Sequence, residues 1–306
     1  MKTVLIINHR IKECGVQQLG SRVYELIRNS PKINYIYREI DDINKYNEVM
    51  EQLNPEYIIY NWHIATMPWL TKQIINEHSR QKHYIIFHER GSLFEVYDKY
   101  LFLGGESVRN PTVPLEKSIF LPRPLLEYTG DYKVNDVFTV GSFGFGFWQK
   151  GFHNLTKIVN DTLKGSILNL HLPISYYADT AGTQTQAVID KCRSQAKDIT
   201  LNITQDFLTN DEILEFLAGN DINAFFYVEE NSDGISSVID YALSVKRPII
   251  ISNCEMFRHI TRNDILIEES SIADVYKRGV KPLKELYKKW SIKNFRREME
   301  DLFSNG

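Results

Sequence analysis

Short apolar runs alternate with amphipathic stretches of helix length, and this rhythm restricts the fold more than any other feature of the chain. "TVLII" (3–7) is followed by a glycine turn and "VQQLGSRVYELIRNS". "YIIYNW" (57–62) precedes "MPWLTKQIINEHS", "HYIIFHERG" (83–91) is a strand with a polar end, and "SIFLPRPL" (118–125) is a strand stopped by prolines. A βαβα order of this kind calls for a mostly parallel sheet covered by helices. A second series starts at "DVFTVGSFGFG" (136–146). Its strands read as "VFTVGSF", "ILNLHLP" (167–173), "ITLNIT" (199–204), "INAFFYV" (222–228) and "RPIIIS" (247–252). Between them lie helices, notably "TNDEILEFLAGN" (209–220), where Thr209 is an N-cap with Glu212 three residues on and Gly219-Asn220 a stop.

The expected fold class is therefore α/β, with two Rossmann-like domains facing across a cleft. The polar stretch "EYTGDYKVND" (127–136) is the linker candidate. The domains are 1–130 and 131–285, with a C-terminal helix in 286–306, around "IKNFRREMEDLF" (292–303), packing back on the N-terminal domain. Ligands of open parallel sheets bind beyond the carboxyl ends of the strands, so the loops at 8–20, 60–66, 87–95, 141–153, 171–178 and 229–237 are where chemistry is sought.

A net charge of −3 gives no global basic field for nucleic acid or anionic lipid. Cys14, Cys192 and Cys254 are odd in number and far apart, which fits neither a disulfide framework nor a zinc pattern and suits a reducing cytoplasm. No stretch approaches transmembrane length, and "MKTVLIINHR" reads as a first strand rather than a secretory signal. There is no G-x-S-x-G elbow, Walker loop or H-E-x-x-H. "VEEN" (228–231) reads as a solvated strand end rather than a Mg²⁺ site, so no metal is expected.

Three loops stand out. In "SDGISSVIDYALSVKRPIIIS" (232–252), Ile235, Val238, Ile239, Ala242 and Leu243 keep helical spacing, so Asp233-Gly234 opens a helix instead of a hairpin. Gly234 permits close backbone approach, and Ile235, Ser236 and Ser237 offer first-turn N–H groups suited to an anion. Asp240 lies one turn below, where a carboxylate can hold ribose hydroxyls. A plain capped helix fits the same spacing. In "VGSFGFGFWQKGF" (140–152), Gly141, Gly144 and Gly146 run G-x-x-G-x-G and Lys150 follows at a helix start, where a cation is better placed if it meets phosphate; a solvated lysine is the alternative. His88 follows a strand directly and can donate to or accept from a polar substrate, or bond only to backbone; His63 in "NWH" is placed similarly. Gly15 in the first glycine loop can cradle a ligand or merely permit the turn, and Arg123 in "LPRP" is a phosphate cation or a surface residue.

Taken together these motifs resemble the retaining GT-B glycosyltransferases of the GT4-like group, most strongly between about 138 and 255. "AFFYVEENSDGISSVIDYALSVKRPIIIS" is similar to that family's donor-site stretch, "VGSFGFGFWQKGF" to its loop carrying glycine and lysine, "YIIFHERG" to its histidine loop and "CGVQQLGSR" to its first glycine loop. The resemblance implies that Lys150 binds the donor pyrophosphate, with Gly141 in the same loop. It implies that Gly234, Ile235, Ser236 and Ser237 present donors to that pyrophosphate, that Asp240 holds ribose, and that Asp233 and His88 stand at the reaction centre. Gly15 and His63 fall on the acceptor side. The acids are one residue closer together than the family's pair, and Ser142 replaces its usual arginine, so a second cation falls to Arg123 or Arg258.

The implied activity is transfer of a sugar from a nucleotide-sugar, UDP-linked by preference, to an acceptor hydroxyl, with retention, without metal or other cofactor, in the cytoplasm. The acceptor is open: a glycan, a lipid-linked sugar, a protein or a small metabolite, with peripheral membrane contact also open. Modified DNA ranks below these, since net charge gives it no support. Two other readings are a non-catalytic GT-B-like nucleotide-binding or partner subunit and a nucleotide-sugar epimerase of the same architecture.

Overall fold

The computed structural model describes residues 1–88, 95–228 and 234–304. The chain divides into two compact units: Met1–Pro124 with Ser232–Ile235 and Lys289–Gly306, and Leu125–Asn231 with Ser236–Lys288.

The first unit is built on six parallel strands: β1 (Lys2–Asn8), β2 (Ile33–Glu39), β3 (Tyr57–Tyr60), β4 (Lys82–Ile86), β5 (Lys99–Leu103) and β6 (Ser118–Leu121), in the order β2-β1-β3-β4-β5-β6. Strand β1 shows why both faces need covering. Val4 and Ile6 enter one apolar cluster and Leu5 and Ile7 the other, as the two-residue strand period requires. The Val4/Ile6 face is covered by α1 (Gly15–Ile27) through Leu19, Val23, Leu26 and Ile27. The C-terminal helix α10 (Ile292–Ser304) covers it too, through Phe295, Met299 and Phe303. The Leu5/Ile7 face is covered by α2 (Ile43–Leu53) and α3 (Lys72–Glu77) through Tyr46, Val49, Met50 and Ile75. Asp42 caps α2 by accepting from the N–H groups of Asn44 and Lys45.

The second unit holds five parallel strands: β7 (Thr139–Phe143), β8 (Ile167–His171), β9 (Thr200–Thr204), β10 (Ile222–Phe225) and β11 (Ile249–Ile251), in the order β11-β10-β7-β8-β9. Helices α4 (Phe152–Thr162), α5 (Thr183–Gln195), α6 (Asn210–Ala218), α7 (Val238–Ser244), α8 (Ile272–Arg278) and α9 (Lys284–Lys289) accompany it. Thr209 and Glu212 form the capping box that their spacing announces. Among the described residues, no helix is long and apolar enough to cross a membrane.

Two strands, β2 and β5, were not among those read from sequence. Several others stop sooner than their apolar runs: β3 ends at Tyr60, β4 at Ile86 and β10 at Phe225. Helix α7 is also shorter than its spacing suggests. It begins at Val238: Gly234–Ser236 runs irregularly, and the Ser236 N–H donates to the Met256 carbonyl.

Gly151 sits in the left-handed region at φ +65°, and a Cβ there would lie 1.8 Å from the Phe226 carbonyl oxygen. Gly151→Ala should cost about 3 kcal/mol or more, since strain and a backbone clash add. Thr209→Ala should cost about 1 kcal/mol through the lost cap. Urea unfolding of the two variants should show that order.

Candidate functional site

Each sheet has one place where the chain reverses its direction of advance across the strands, and open α/β sheets bind ligands in the crevice at such a point. In the first sheet it lies between β1 and β3, in the second between β7 and β10. The residues with chemical potential gather at these two places.

In the second unit, the loop after β7 is pressed against the segment after β10. The Gly151 approach to Phe226 is one contact, and the Val228 N–H donates to the Gln149 carbonyl at 2.9 Å. A short 3₁₀ turn, Trp148–Lys150, carries the lysine just ahead of α4, which starts at Phe152. Half-buried Lys150 holds its Nζ 4.1 Å from the centre of the Tyr227 ring, a cation–π contact that fixes the charge in place. The Tyr227 hydroxyl is 3.0 Å from Ser236 Oγ, and Ser252 Oγ donates to the Tyr227 carbonyl at 2.7 Å. Gly144 lies beside Tyr227 at φ +142°, a backbone conformation that residues with side chains rarely adopt. Lys150, Tyr227, Ser236 and Gly144 thus form one polar corner. Tyr227 escaped the sequence reading, although "FFYV" put an aromatic residue at a strand end.

The other expected donor residues are placed as follows. Gly141 has a structural task, because a Cβ would lie 2.0 Å from Asn220 Nδ2 and 2.8 Å from Asn223 Oδ1. Asn220 stands over it and accepts from Asn169, which accepts in turn from Asn202. Asp240 lies on the first turn of α7, fully enclosed. Ser237 is the residue before that helix; Gly234 and Ile235, which belong to the first unit, are half-buried, and Ile235 packs on that unit's apolar cluster. Arg258 follows β11 and donates to the Glu255 carbonyl. Asp233 lies outside the described residues.

In the first unit, three histidines meet at the ends of adjacent strands. His9 follows β1, His63 follows β3 and His88 follows β4. His88 Nε2 is 2.8 Å from Asn61 Oδ1. Asn61 Nδ2 donates to Asn8 Oδ1 at 2.8 Å and to the Val16 carbonyl, while Asn8 Nδ2 donates to the Gln17 carbonyl and the Tyr37 hydroxyl. Gly20 makes room for this relay, since a Cβ would lie 2.4 Å from Asn61 Nδ2. Arg123 is buried in this unit, with Nη1 on the Leu103 carbonyl at 3.0 Å. Gly15 is the first residue of α1. His9, Asn8, Asn61 and Gly20 were not singled out from sequence. All are single residues with no spacing rule, and only the sheet order brings them together.

Burial, then His63, Arg123 and His9, push His88 down to about 3. Burial and His63 push His9 down to about 4, against the pull of Glu39 and Asp41. Both imidazoles are neutral at pH 7. Among the described residues no His, Cys, Asp and Glu group of three or more has a metal-binding arrangement.

No family model matches the chain, and no curated protein matches it by sequence. Solved structures do match. A glycosyltransferase from Rickettsia africae is similar at a TM-score of 0.69 and 11% identity, over 99% of this chain and 98% of that one. Anabaena HepE, in complex with UDP, is similar at 0.62 and 10%, over 100% of both chains. The UDP-forming α,α-trehalose-phosphate synthase from Burkholderia xenovorans, in complex with glucose-6-phosphate, is similar at 0.59 and 8%, over 99% of both. The fold, with its two parallel α/β sheets, is that of the GT-B glycosyltransferases.

Because the folded-state pKa values of His9 and His88 lie below the unfolded 6.5, the unfolded chain binds more protons between those values. Stability should be complete above pH 6.5 and should fall as pH drops below it. The urea midpoint should decrease between about pH 7 and about pH 5, where carboxylates contribute little, and should decrease less in His88→Asn.

Proposed function

We propose that this protein moves a sugar from a nucleotide-diphosphate sugar, UDP-linked, to an acceptor hydroxyl, in the manner of the GT4-like enzymes its motifs resemble. The observation that carries this reading is the end-to-end match to solved glycosyltransferases, one of them bound to UDP over the full length of both chains. The polar corner at the β7/β10 reversal supports it.

In this reading the second unit holds the donor. Breaking the anomeric bond leaves a nucleoside diphosphate whose new charge needs a fixed cation, and Lys150, already held over Tyr227, supplies one without reorganisation. The turn at Gly234, Ile235, Ser236 and Ser237 contributes close backbone approach and a hydroxyl. Its electrostatic share is smaller than the spacing suggested, because Ser236 has committed its amide to Met256. Asp240 takes the ribose, Arg258 is the second-cation candidate of this unit, and Asp233 and His88 act at the sugar. The first unit, with His63 and Gly15, takes the acceptor: a glycan, a lipid-linked sugar or another hydroxyl compound; Arg123, the other second-cation candidate, belongs to this unit. Retention at the anomeric carbon, independence of metal and a cytoplasmic setting belong to the same proposal.

A thermal-shift screen should show stabilisation by UDP-sugars, and a labelled UDP-sugar should yield a glycosylated product. Lys150→Ala should lose UDP binding by about tenfold or more and lose transfer, with an unchanged circular dichroism spectrum. Full activity in that variant would sink the assignment. Nucleotide binding without transfer or hydrolysis would point instead to a partner subunit, and an altered free nucleotide-sugar to an epimerase.

A further inference from the structure

The hydrogen bonds in the first unit determine which nitrogen of each key histidine carries a proton. Val16 and Gln17 offer carbonyls, which only accept, so the Asn61 and Asn8 groups facing them are amide nitrogens. Asn61 therefore turns its oxygen toward His88, and His88 Nε2 must donate to it. A neutral His88 then keeps a lone pair on Nδ1. His9 is fixed independently. The Ile11 N–H donates to His9 Nδ1 at 3.2 Å, so the proton of neutral His9 is on Nε2. That atom is buried and has no partner among the described residues, in a residue only 1% exposed. Leaving such a donor unpaired is costly.

We propose that His9 is a ligand-binding residue of the first unit, donating its Nε2–H to an oxygen of a neutral sugar while His88 Nδ1 accepts from a hydroxyl of the same ligand. The proposal rests on the reading of this unit as the acceptor side and names its ligand class. A sugar carries several hydroxyls that both donate and accept, which suits one donor after β1 and one acceptor after β4, with β3 between them. On the His9 side, charge favours a neutral ligand over an anion. Both imidazoles are uncharged at pH 7, and Glu39 and Asp41 stand close enough to His9 to act on it electrostatically. Arg123, the cation acting on His88, has Nη1 on the Leu103 carbonyl. Asn61 is a positioning residue here, acting through the tautomer of His88.

The test uses full-length protein labelled with ¹⁵N-histidine at pH 7. Long-range ¹H–¹⁵N spectra should show both His9 and His88 as Nε2–H tautomers. Saturation with glucose, galactose or N-acetylglucosamine should shift His9 Nε2 and His88 Nδ1, while UDP alone should not. His9→Phe should weaken binding of the responding sugar about tenfold, whereas His9→Gln, whose amide still donates, should stay within about threefold. An Nδ1–H tautomer at His9 overturns the proposal. Unchanged resonances with all three sugars also overturn it and assign the His9 donor to an ordered water. A response to glucose 6-phosphate alone overturns it in favour of an anion. Failure of UDP to bind would sink the donor reading of the second unit while leaving these resonances informative.

Discussion

Parallel pairing is the constraint from which the rest follows. A parallel strand cannot return through a tight turn, so every connection crosses over and every strand delivers its carboxyl end to the same edge of the sheet. Where the chain reverses its advance, two neighbouring loops leave in opposite directions and a crevice opens. The β1/β3 and β7/β10 reversals are the two such places, and the first gathers Asn8, His9, Asn61 and His63, the second Lys150 and Tyr227. The polar side chains need no sequence proximity, because strand order supplies the proximity.

Both sheets solve the same packing problem with glycine. Asparagine amides near the strand ends must be paired when buried, and a side chain opposite them would block the pairing. Gly20 on α1 leaves space for Asn61 and Asn8, and Gly141 on β7 leaves space for Asn220. In the second sheet the amides form a row through Asn223, Asn220, Asn169 and Asn202; Asn223, Gly141, Asn169 and Asn202 are in register across β10, β7, β8 and β9, and Asn220, ahead of β10, fills the place above Gly141. A one-residue slip of β8, β9 or β10 would turn its asparagine to the opposite face, so the row fixes the register as well as the amides.

The fold was legible because it is written in periodicity. Apolar runs and amphipathic helices marked nine of the eleven strands among the described residues, and the Thr209–Glu212 box marked a helix start to the residue. Strand β2 was harder to see. "INYIYRE" mixes tyrosine with charge because its strand lies at the sheet edge, half covered. Strand β5 is a short run with no preceding helix signature of its own. The site was legible only where a chemical type and a glycine loop coincided, as at Lys150. That Gly141 makes room for Asn220 was not readable, because a sequence does not say what a missing side chain leaves space for. His9 and Asn61 carried no local signal, since their meaning lies in hydrogen bonds to groups dozens of residues away or across a turn.

The C-terminal helix has a consequence for the order of assembly during synthesis. Phe295, Met299 and Phe303 of α10 belong to the same apolar cluster as Val4 and Ile6 of the first strand, and burying each contributes roughly 1.5–3 kcal/mol. The Tyr35 hydroxyl also donates to the Met299 carbonyl, and the Arg296 side chain to the Leu26 carbonyl. The first unit emerges from the ribosome first yet lacks one cover of its sheet until the last helix is made, whereas the second unit has its whole sheet and most of its helices in an almost uninterrupted stretch. Vectorial synthesis therefore favours completion of the second unit before the first, and a nascent chain stalled ahead of residue 292 would display the uncovered Val4/Ile6 face to chaperones.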